Sequence, residues 1–528
     1  MLTTIPIYFR LGSEFMPPLN EGAILYMPTA LPGMSVTEAS RILQVQDQLL
    51  KTFPEVKRVF GKAGRAETST DPAPFSMIET TVMLKHRDEW REVPRKLPAW
   101  IPEHIRQTLL GFAPKRKISY SELIDEMDAK IRLPGIPNIW TMPIKNRIDM
   151  LSTGIRTPIG IKVMGPDLSQ IQHIGQQLEE ILRATPGTRN VYAERVAGGY
   201  FLDFDINRKQ LAHYGLSVED AQNIIMAAIG GENVTTVLEG RERYSVNVRY
   251  GRDFRDELPK LKRILVPTQS GEHVSLGQIA NIRFVEGPSM IRNENGTLSG
   301  YVYVDISGKD FGGYVDQAKK KVSQSLKLPE GFHLVWSGQY ENMIRVKNRL
   351  KVVLPVTLFI ICFLLYMNTK SAIKTGIVLL AVPFSLIGAV WLLWILGYNM
   401  SIAVWVGMIA LMGLDAETGV FMLLFLDLSY QEAKAKGKMR NEQDLEEAII
   451  HGAVKRIRPK MMTVMAAFIG LLPIMWSMGT GADMMKRIAA PMVGGIVTSF
   501  VLELLVYPVL YAVWKWHYDL KAGKQIPA

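Results

Sequence analysis

Two carboxylates, Asp415 and Glu417, interrupt the otherwise largely apolar stretch IALMGLDAETGVFMLLF. An ionisable group near the middle of a bilayer costs on the order of 3 kcal/mol on insertion scales, so such acids usually serve a proton or ion pathway. The alternative is a fixed contact with a neighbouring helix. Two positions apart on a helix, the acids point to different faces and do not share one partner. A buried carboxylate of this kind can load and release a proton near neutral pH. Lys460, in RIRPKMMTV at the edge of a later apolar run, reads first as a topology-setting lysine whose stem snorkels. Glu503, in FVLELLVYP, is a further acid in an apolar run, and helix packing is its first reading.

Thioethers are the second candidate chemistry. The chain holds 27 methionines, roughly twice an average share. Thioether sulfur is a soft ligand that selects monovalent copper or silver over harder ions. Methionine also fills cores and membrane helices, so any single one is more often packing than ligand. The informative ones stand beside turn residues: Met77 after AETSTDPAPFS, Met142 and Met150 flanking the loop TMPIKNRIDMLSTG, and Met290 in GPSM.

Other chemistries find no support. There is no GxxxxGK[ST] phosphate loop, no HExxH and no GxSxG. The eight histidines, among them His86, His173, His213 and His451, lack the spacing of a helical imidazole metal site. One cysteine, Cys362, excludes a disulfide framework. The reading is of a protein that is not an enzyme and needs no cofactor.

Elements must position these residues, and hydropathy supplies the first. The 528 residues are 48 % hydrophobic and 21 % charged, which excludes a disordered chain. A membrane helix needs about 20 mostly apolar residues. Five segments qualify: 351–367, 375–397, 400–426, 461–480 and 489–514. Met1–Phe9 is apolar but short, and reads as the last turns of a helix. The net charge of +11 is concentrated around these spans, which points to membrane topology and away from nucleic acid. Lys370 and Lys374, the basic residues of 428–460 and Lys515, Lys521 and Lys524 fall on one side, expected to be cytoplasmic. Lys486 and Arg487 are a minor exception. Residues 12–350 then face the other side, the periplasm of a bacterial inner membrane.

In that outer region a unit recurs. An amphipathic helix at 36–53, with Ser35 and Glu38 in a capping-box pattern, leads past Pro54 to the strand VKRVF. Helix 168–185 leads past Pro186-Gly187 to RNVYAE, and helix 314–328 past Pro329-Glu330-Gly331 to FHLVW. The spacing predicts an α+β membrane protein with duplicated ferredoxin-like, split β-α-β subdomains and a five-helix transmembrane bundle. Residues 1–21 form a helix end and link. The expected subdomains are 22–165, then 166–215 with 285–340, with an insertion at 216–284; the membrane domain is 341–528. The Pro-rich stretch 93–116 reads as a surface insertion with a helix at 103–111.

The chain resembles a known family at GSEFMPPLNEG (12–22), VFGKAGRAETSTDPAPFSMIETT (59–81), NRIDMLSTGIRTPIGIKV (146–163), GLDAETGVFMLLFLD (413–427), RIRPKMMTV (457–465) and KRIAAPMVGG (486–495). These stretches look like the heavy-metal branch of the resistance-nodulation-division transporters. The copper/silver CusA type comes first and the cobalt–zinc–cadmium CzcA type next. Those transporters have twelve membrane helices in two similar halves, and this chain resembles the second, C-terminal half only. The resemblance implies a proton-driven metal-ion exporter in which Glu417 is the relay acid and Lys460 its partner, with Asp415 a further member. It implies a cleft holding monovalent copper or silver through Met77 and Met150, with Met142 or Met290 contributing, and Met290 on the exit route. Its implied partners are two further copies in a homotrimer, a periplasmic adaptor, an outer-membrane channel docked on 216–284, the N-terminal half and membrane lipid. A zinc, cobalt or cadmium exporter of the same family is one alternative. A non-transporting membrane-anchored metal-binding fragment is another.

Overall fold

The computed structural model describes residues 3–17, 19–30, 32–64, 74–94, 115–288, 290–307, 310–439, 441–479 and 481–520. The expected helix at 103–111, Lys521 and Lys524 lie outside them. The chain divides into two compact units, the first made of Met1–Ala30, Met34–Glu194 and Arg292–Ala528, the second of Leu31–Gly33 and Arg195–Ile291.

Among the described residues the first unit contains two larger antiparallel sheets and the short pair Glu92–Val93 with Arg116–Lys117. One runs Val56–Ala63, Ile78–Leu84, Ala23–Tyr26 and Trp140–Thr141 in spatial order. The helices Val36–Lys51 and Tyr120–Lys130 belong with it: Leu50, Leu123 and Met127 enter one core with Ile24, Tyr26, Val82 and Trp140. Ser35 caps the first of these helices by accepting from the Glu38 N–H, but the Glu38 carboxylate turns to Arg41, so the expected capping box is only half made. A complete box stands at Ser119–Glu122.

The other sheet runs Arg292–Glu294, Thr297–Ile306, Ile159–Gly165 and His333–Gly338, with Thr188–Ala193 also paired to Thr297–Ile306. Ile159–Gly165 is buried at every position because it is central, between Thr297–Ile306 and His333–Gly338. A boundary after 165 therefore cuts a strand from its own sheet; the sheet begins at Ile159. The helices Leu168–Arg183 and Phe311–Ser325 follow two of its strands.

In the second unit Gly199–Ile206 pairs with Ala280–Gly287, and a small core forms from Leu211, Leu261, Val266, Leu276 and Ile279. That pairing starts well before 216 and ends after 284, so the insertion is longer than the sequence suggested. Its hairpin, Glu232–Glu239 with Glu242–Val248, is exposed at every residue, including Val237, Leu238 and Tyr244.

Among the described residues five helices are long and apolar enough to cross a membrane: Gln339–Thr369, Ala372–Leu396, Ile402–Ala435, Glu442–Trp476 and Ala482–Tyr518. They contain most of each expected segment and extend several, because helix propensity continues past the apolar run into amphipathic turns. The stretch 428–460 is accordingly mostly helix, with only a short connection after Ala435. Small residues bring the second and fifth of these helices together. A Cβ on Gly388 would collide with the Gly494 carbonyl oxygen, and one on Gly494 with that of Gly388. Arg487, the charge on the unexpected side, is buried against Glu14 at 3.0 Å and stacks on Tyr398. It is a packing partner and not a topology signal. The helix Thr4–Arg10 joins the bundle through Trp391, whose Nε1 donates to Thr4 Oγ1 at 3.2 Å.

Candidate functional site

Inside the bundle the structure gathers a charge cluster. Lys460, on the fourth long helix, is 2 % exposed and bonded to Glu503 of the fifth, which is 0 % exposed. Lys460 therefore does not snorkel; it is a fully committed partner. The Glu503 carboxylate also accepts from Thr418 Oγ1 at 2.8 Å and Ser499 Oγ at 3.2 Å. A buried ion pair persists only when hydrogen bonds satisfy its remaining oxygens, and the two hydroxyls do that. Asp415 is buried in the same place, beside Ser385 and Ser499, and its Oδ2 has no hydrogen-bond partner. Asp415, Thr418, Lys460 and Ser499 line one cavity of about 30 Å³, enough for a water molecule.

Glu417 is not in this cluster. It stands exposed on the outside of the bundle, while Asp415 and Thr418 turn inward. Two residues rotate a helix by about 200°, so one of the two acids had to face away. Hydropathy could not say which. The second carboxylate of the cluster is Glu503, which the sequence offered only as a packing residue.

Three of the four thioether candidates, Met77, Met142 and Met150, lie in the first unit. Met27, 0 % exposed, clusters with Leu25, Ile139, Ile155, Tyr192, Tyr301 and Tyr303, and both Met77 and Met150 pack against that group. Met77 is brought there by a bridge to Thr29, two residues after Met27. Met150 rides on the helix Pro143–Thr153. Pro143 opens that helix, and the Glu21 carboxylate accepts from the Ile144 and Lys145 N–H groups at 2.8 and 2.9 Å. A carboxylate there satisfies orphan donors and complements the helix dipole. Gly154, at φ +76°, ends the helix in the left-handed region beneath Tyr301.

From this helix Asn146 Nδ2 reaches both Met27 Sδ and Met150 Sδ, each at 3.2 Å. Met142 precedes the helix and is buried, but it is not part of the cluster. Met290 belongs to the second compact unit. Met27 was missed in the sequence because GAILYMP reads as an ordinary buried strand. Asn146 was missed because a lone amide carries no pattern.

Cations already occupy the ring faces around the thioethers. Arg156 lies over Tyr303 at 4.3 Å, and Arg292 over Tyr301 at 4.5 Å. Lys162 and Arg292 are in turn paired with Glu294 and Glu194 at 2.8 and 3.0 Å. Burial pushes both phenols upward, and the neighbouring Glu294 and Glu194 push the same way. The rings therefore stay neutral, leaving sulfur as the soft donor. Asp149 sits on the same helix. Burial raises its carboxyl above the usual range, and Gln339 Nε2 donates to it at 3.1 Å. Among the described residues no group of three or more His, Cys, Asp or Glu is placed to hold a metal.

Apolar helices closed around a buried charge cluster, continuous with a folded outer region, define a polytopic membrane protein of mixed α/β content. Residues 1–515 match the AcrB/AcrD/AcrF family, and the chain belongs to that family of resistance-nodulation-division transporters. It is 40 % identical to the cation efflux system protein CusA of Escherichia coli K12 over 98 % of its own length and 47 % of that protein. It is 31 % identical to the cobalt-zinc-cadmium resistance protein CzcA of Cupriavidus metallidurans, over 96 % of this chain and 45 % of the other. The crystal structure of a heavy metal efflux pump superposes with a TM-score of 0.80 at 27 % identity, covering 97 % of this chain and 49 % of that one. The chain thus spans about half the length of the relatives it matches.

Proposed function

We propose that the chain is the second half of a proton-driven heavy-metal cation exporter, most suited to monovalent copper or silver. The observation that carries this reading is the buried Lys460–Glu503 pair together with buried Asp415, with Asp415 and Lys460 lining one small cavity. A proton arriving on Asp415 would change the balance of charge that holds the Lys460–Glu503 pair, and so the packing of the third, fourth and fifth helices. In this chain Asp415 takes the relay position beside Lys460. Glu417, with no inward partner to meet, faces a protein surface supplied from outside the chain, because a carboxylate against lipid costs on the order of 3 kcal/mol.

The metal reading rests on the meeting of Met77 and Met150 at one cluster, which nothing local in the sequence enforces. Zinc, cobalt or cadmium export would call for carboxylate and imidazole ligands, whereas this pocket presents thioethers. Further features support the remaining proposals. The distribution of basic residues supports a location in a bacterial inner membrane with residues 12–350 in the periplasm. The two helix-backed sheets fit duplicated split β-α-β subdomains. The exposed apolar hairpin of the second unit fits partners: two further copies in a homotrimer, an adaptor and an outer-membrane channel.

The test is co-reconstitution of the chain with a matching first half in vesicles containing a pH dye. Silver added outside should drive proton movement that Asp415→Asn abolishes, while silver binding persists. Near wild-type proton movement in Asp415→Asn sinks the relay. Silver-independent behaviour of the wild type favours the non-transporting fragment.

A further inference from the structure

Where the first long helix leaves the outer region, a groove of about 800 Å³ opens between Thr4–Arg10, Phe311–Ser325, Gln339–Thr369 and the start of Ile402–Ala435. The transport reading makes no use of it. Its lining changes character with depth. The helix Phe311–Ser325 meets the outer end of the long helix: Lys319 Nζ donates to the Tyr340 hydroxyl at 2.9 Å, and a Cβ on Gly312 would stand 3.5 Å from Met343 Cε. Further in, Lys347 and Lys351 line the groove from one helix face, about 6 Å apart along the axis. The apolar run of the long helix begins directly after Lys351. Leu354 and Pro355 continue the lining inward, and Phe9, Ile402 and Trp405 add apolar surface.

Three acids also line the groove, and two of them are committed elsewhere. Glu14 is paired with Arg487 at 3.0 Å. Asp310 Oδ1 accepts from the Ser13 and Gly313 N–H groups at 2.9 and 3.1 Å. Asp316, exposed one turn past Gly312, carries no such bond among the described residues. From outside inward the groove therefore presents a free carboxylate, two ammonium groups and an apolar channel. Both lysines stay exposed, as basic side chains at the level of lipid phosphates do. Trp405 stands one turn inside the start of its helix, a position that amphipathic rings favour at a membrane interface.

We propose that this groove binds one phospholipid with an ethanolamine headgroup, its phosphate on Lys347 and Lys351, its ammonium on Asp316 and an acyl chain along Leu350, Leu354 and Trp405. The order of charges selects the headgroup. An ethanolamine lipid carries a primary ammonium outermost, a phosphate beneath it and acyl chains beneath that, which is the order of the lining read with opposite sign. A glycerol headgroup would serve the lysines but bring no cation to Asp316. A choline headgroup brings a cation without an N–H, so it cannot make the charge-assisted hydrogen bond that an ammonium gives a carboxylate. The lipid would fill the space between the short helix Thr4–Arg10 and the first long helix, where the protein supplies no side chains of its own.

The experiment uses the full chain in detergent, mixed in turn with phosphatidylethanolamine, phosphatidylcholine and phosphatidylglycerol of identical acyl chains. Native mass spectrometry counts the lipid retained. The wild type should retain one phosphatidylethanolamine, about fivefold more tightly than either rival, the upper range for a partly exposed ion pair. Lys347→Gln with Lys351→Gln should weaken it by about 30-fold, the combined effect of two basic residues near a membrane surface. Lys347→Arg keeps the charge and should keep the lipid, and it repeats the reading if the double variant folds poorly. Asp316→Asn should erase the preference for ethanolamine over choline while retention of lipid persists. Equal retention of all three lipids by the wild type reduces the groove to unselective contact and overturns the proposal. A preference for phosphatidylglycerol makes it an anion site and overturns the role of Asp316, as does an ethanolamine preference that survives Asp316→Asn. Lipid that is lost when a matching first half is added assigns the groove to a protein contact instead.

Discussion

The membrane cluster and the thioether pocket are both buried, polar and assembled from distant segments, yet they solve opposite problems. In the bundle, Lys460 and Glu503 are charged groups taken out of water, so each requires the other, together with hydroxyls from Thr418 and Ser499. In the pocket, Met27, Met77 and Met150 are uncharged and cost little to bury, so they can stand without a bound ion. Charge forces a site to be complete at all times and makes it responsive to a proton. Uncharged thioethers carry no such requirement.

The largest expected effect comes from leaving one charge of the bundle unpaired. Glu503→Leu should destabilise the chain by about 3–5 kcal/mol, read as thermal unfolding in detergent. Adding Lys460→Met should recover most of that stability while proton movement stays absent. A Glu503→Leu chain as stable as the wild type would show that the pair is not what the comparison takes it to be.

A buried carboxylate outside the membrane offers an intermediate case. Asp305 is 4 % exposed and reaches Arg189 at 3.3 Å, and burial pushes its carboxyl up to about 7. Because its ordinary value is 3.8, the folded chain binds more protons than the unfolded one between those values. Its contribution to stability is therefore present at low pH and declines as pH rises from about 4 to about 7. Asp305→Asn should flatten unfolding temperature against pH across that window. An unchanged slope assigns the pH dependence to other groups.

The smallest effect is expected at Glu417. It is exposed in this chain, so Glu417→Gln should shift stability by no more than about 0.5 kcal/mol. Proton movement with the first half present is the sharper measurement. A strong loss there, without loss of stability, is the signature of an acid that acts across to another segment. A large stability loss in the chain alone would instead reveal a partner inside it.

Much of this molecule was legible one segment at a time. Apolar runs gave the five long helices, since burying a hydrogen-bonded backbone in lipid leaves little choice. Ser35 marked a helix start because a hydroxyl there meets an orphan N–H, and the spacing of apolar residues gave the helices that follow. Strand membership was not legible: Ile159–Gly165 looks like the end of one subdomain, but its partners lie more than a hundred residues away in Thr297–Ile306 and His333–Gly338.

By itself the sequence determined that acids would stand within apolar helices, and that several methionines would stand beside turns. Composition and period carry that information locally. Only the tertiary structure decided that Asp415 and not Glu417 turns inward, that Lys460 is held by Glu503, and that Met27 and Asn146 complete the place where Met77 and Met150 meet. Those choices depend on helix rotation and on diagonal contacts between strands, which are set by what packs opposite. A side chain's own neighbours in sequence do not fix them.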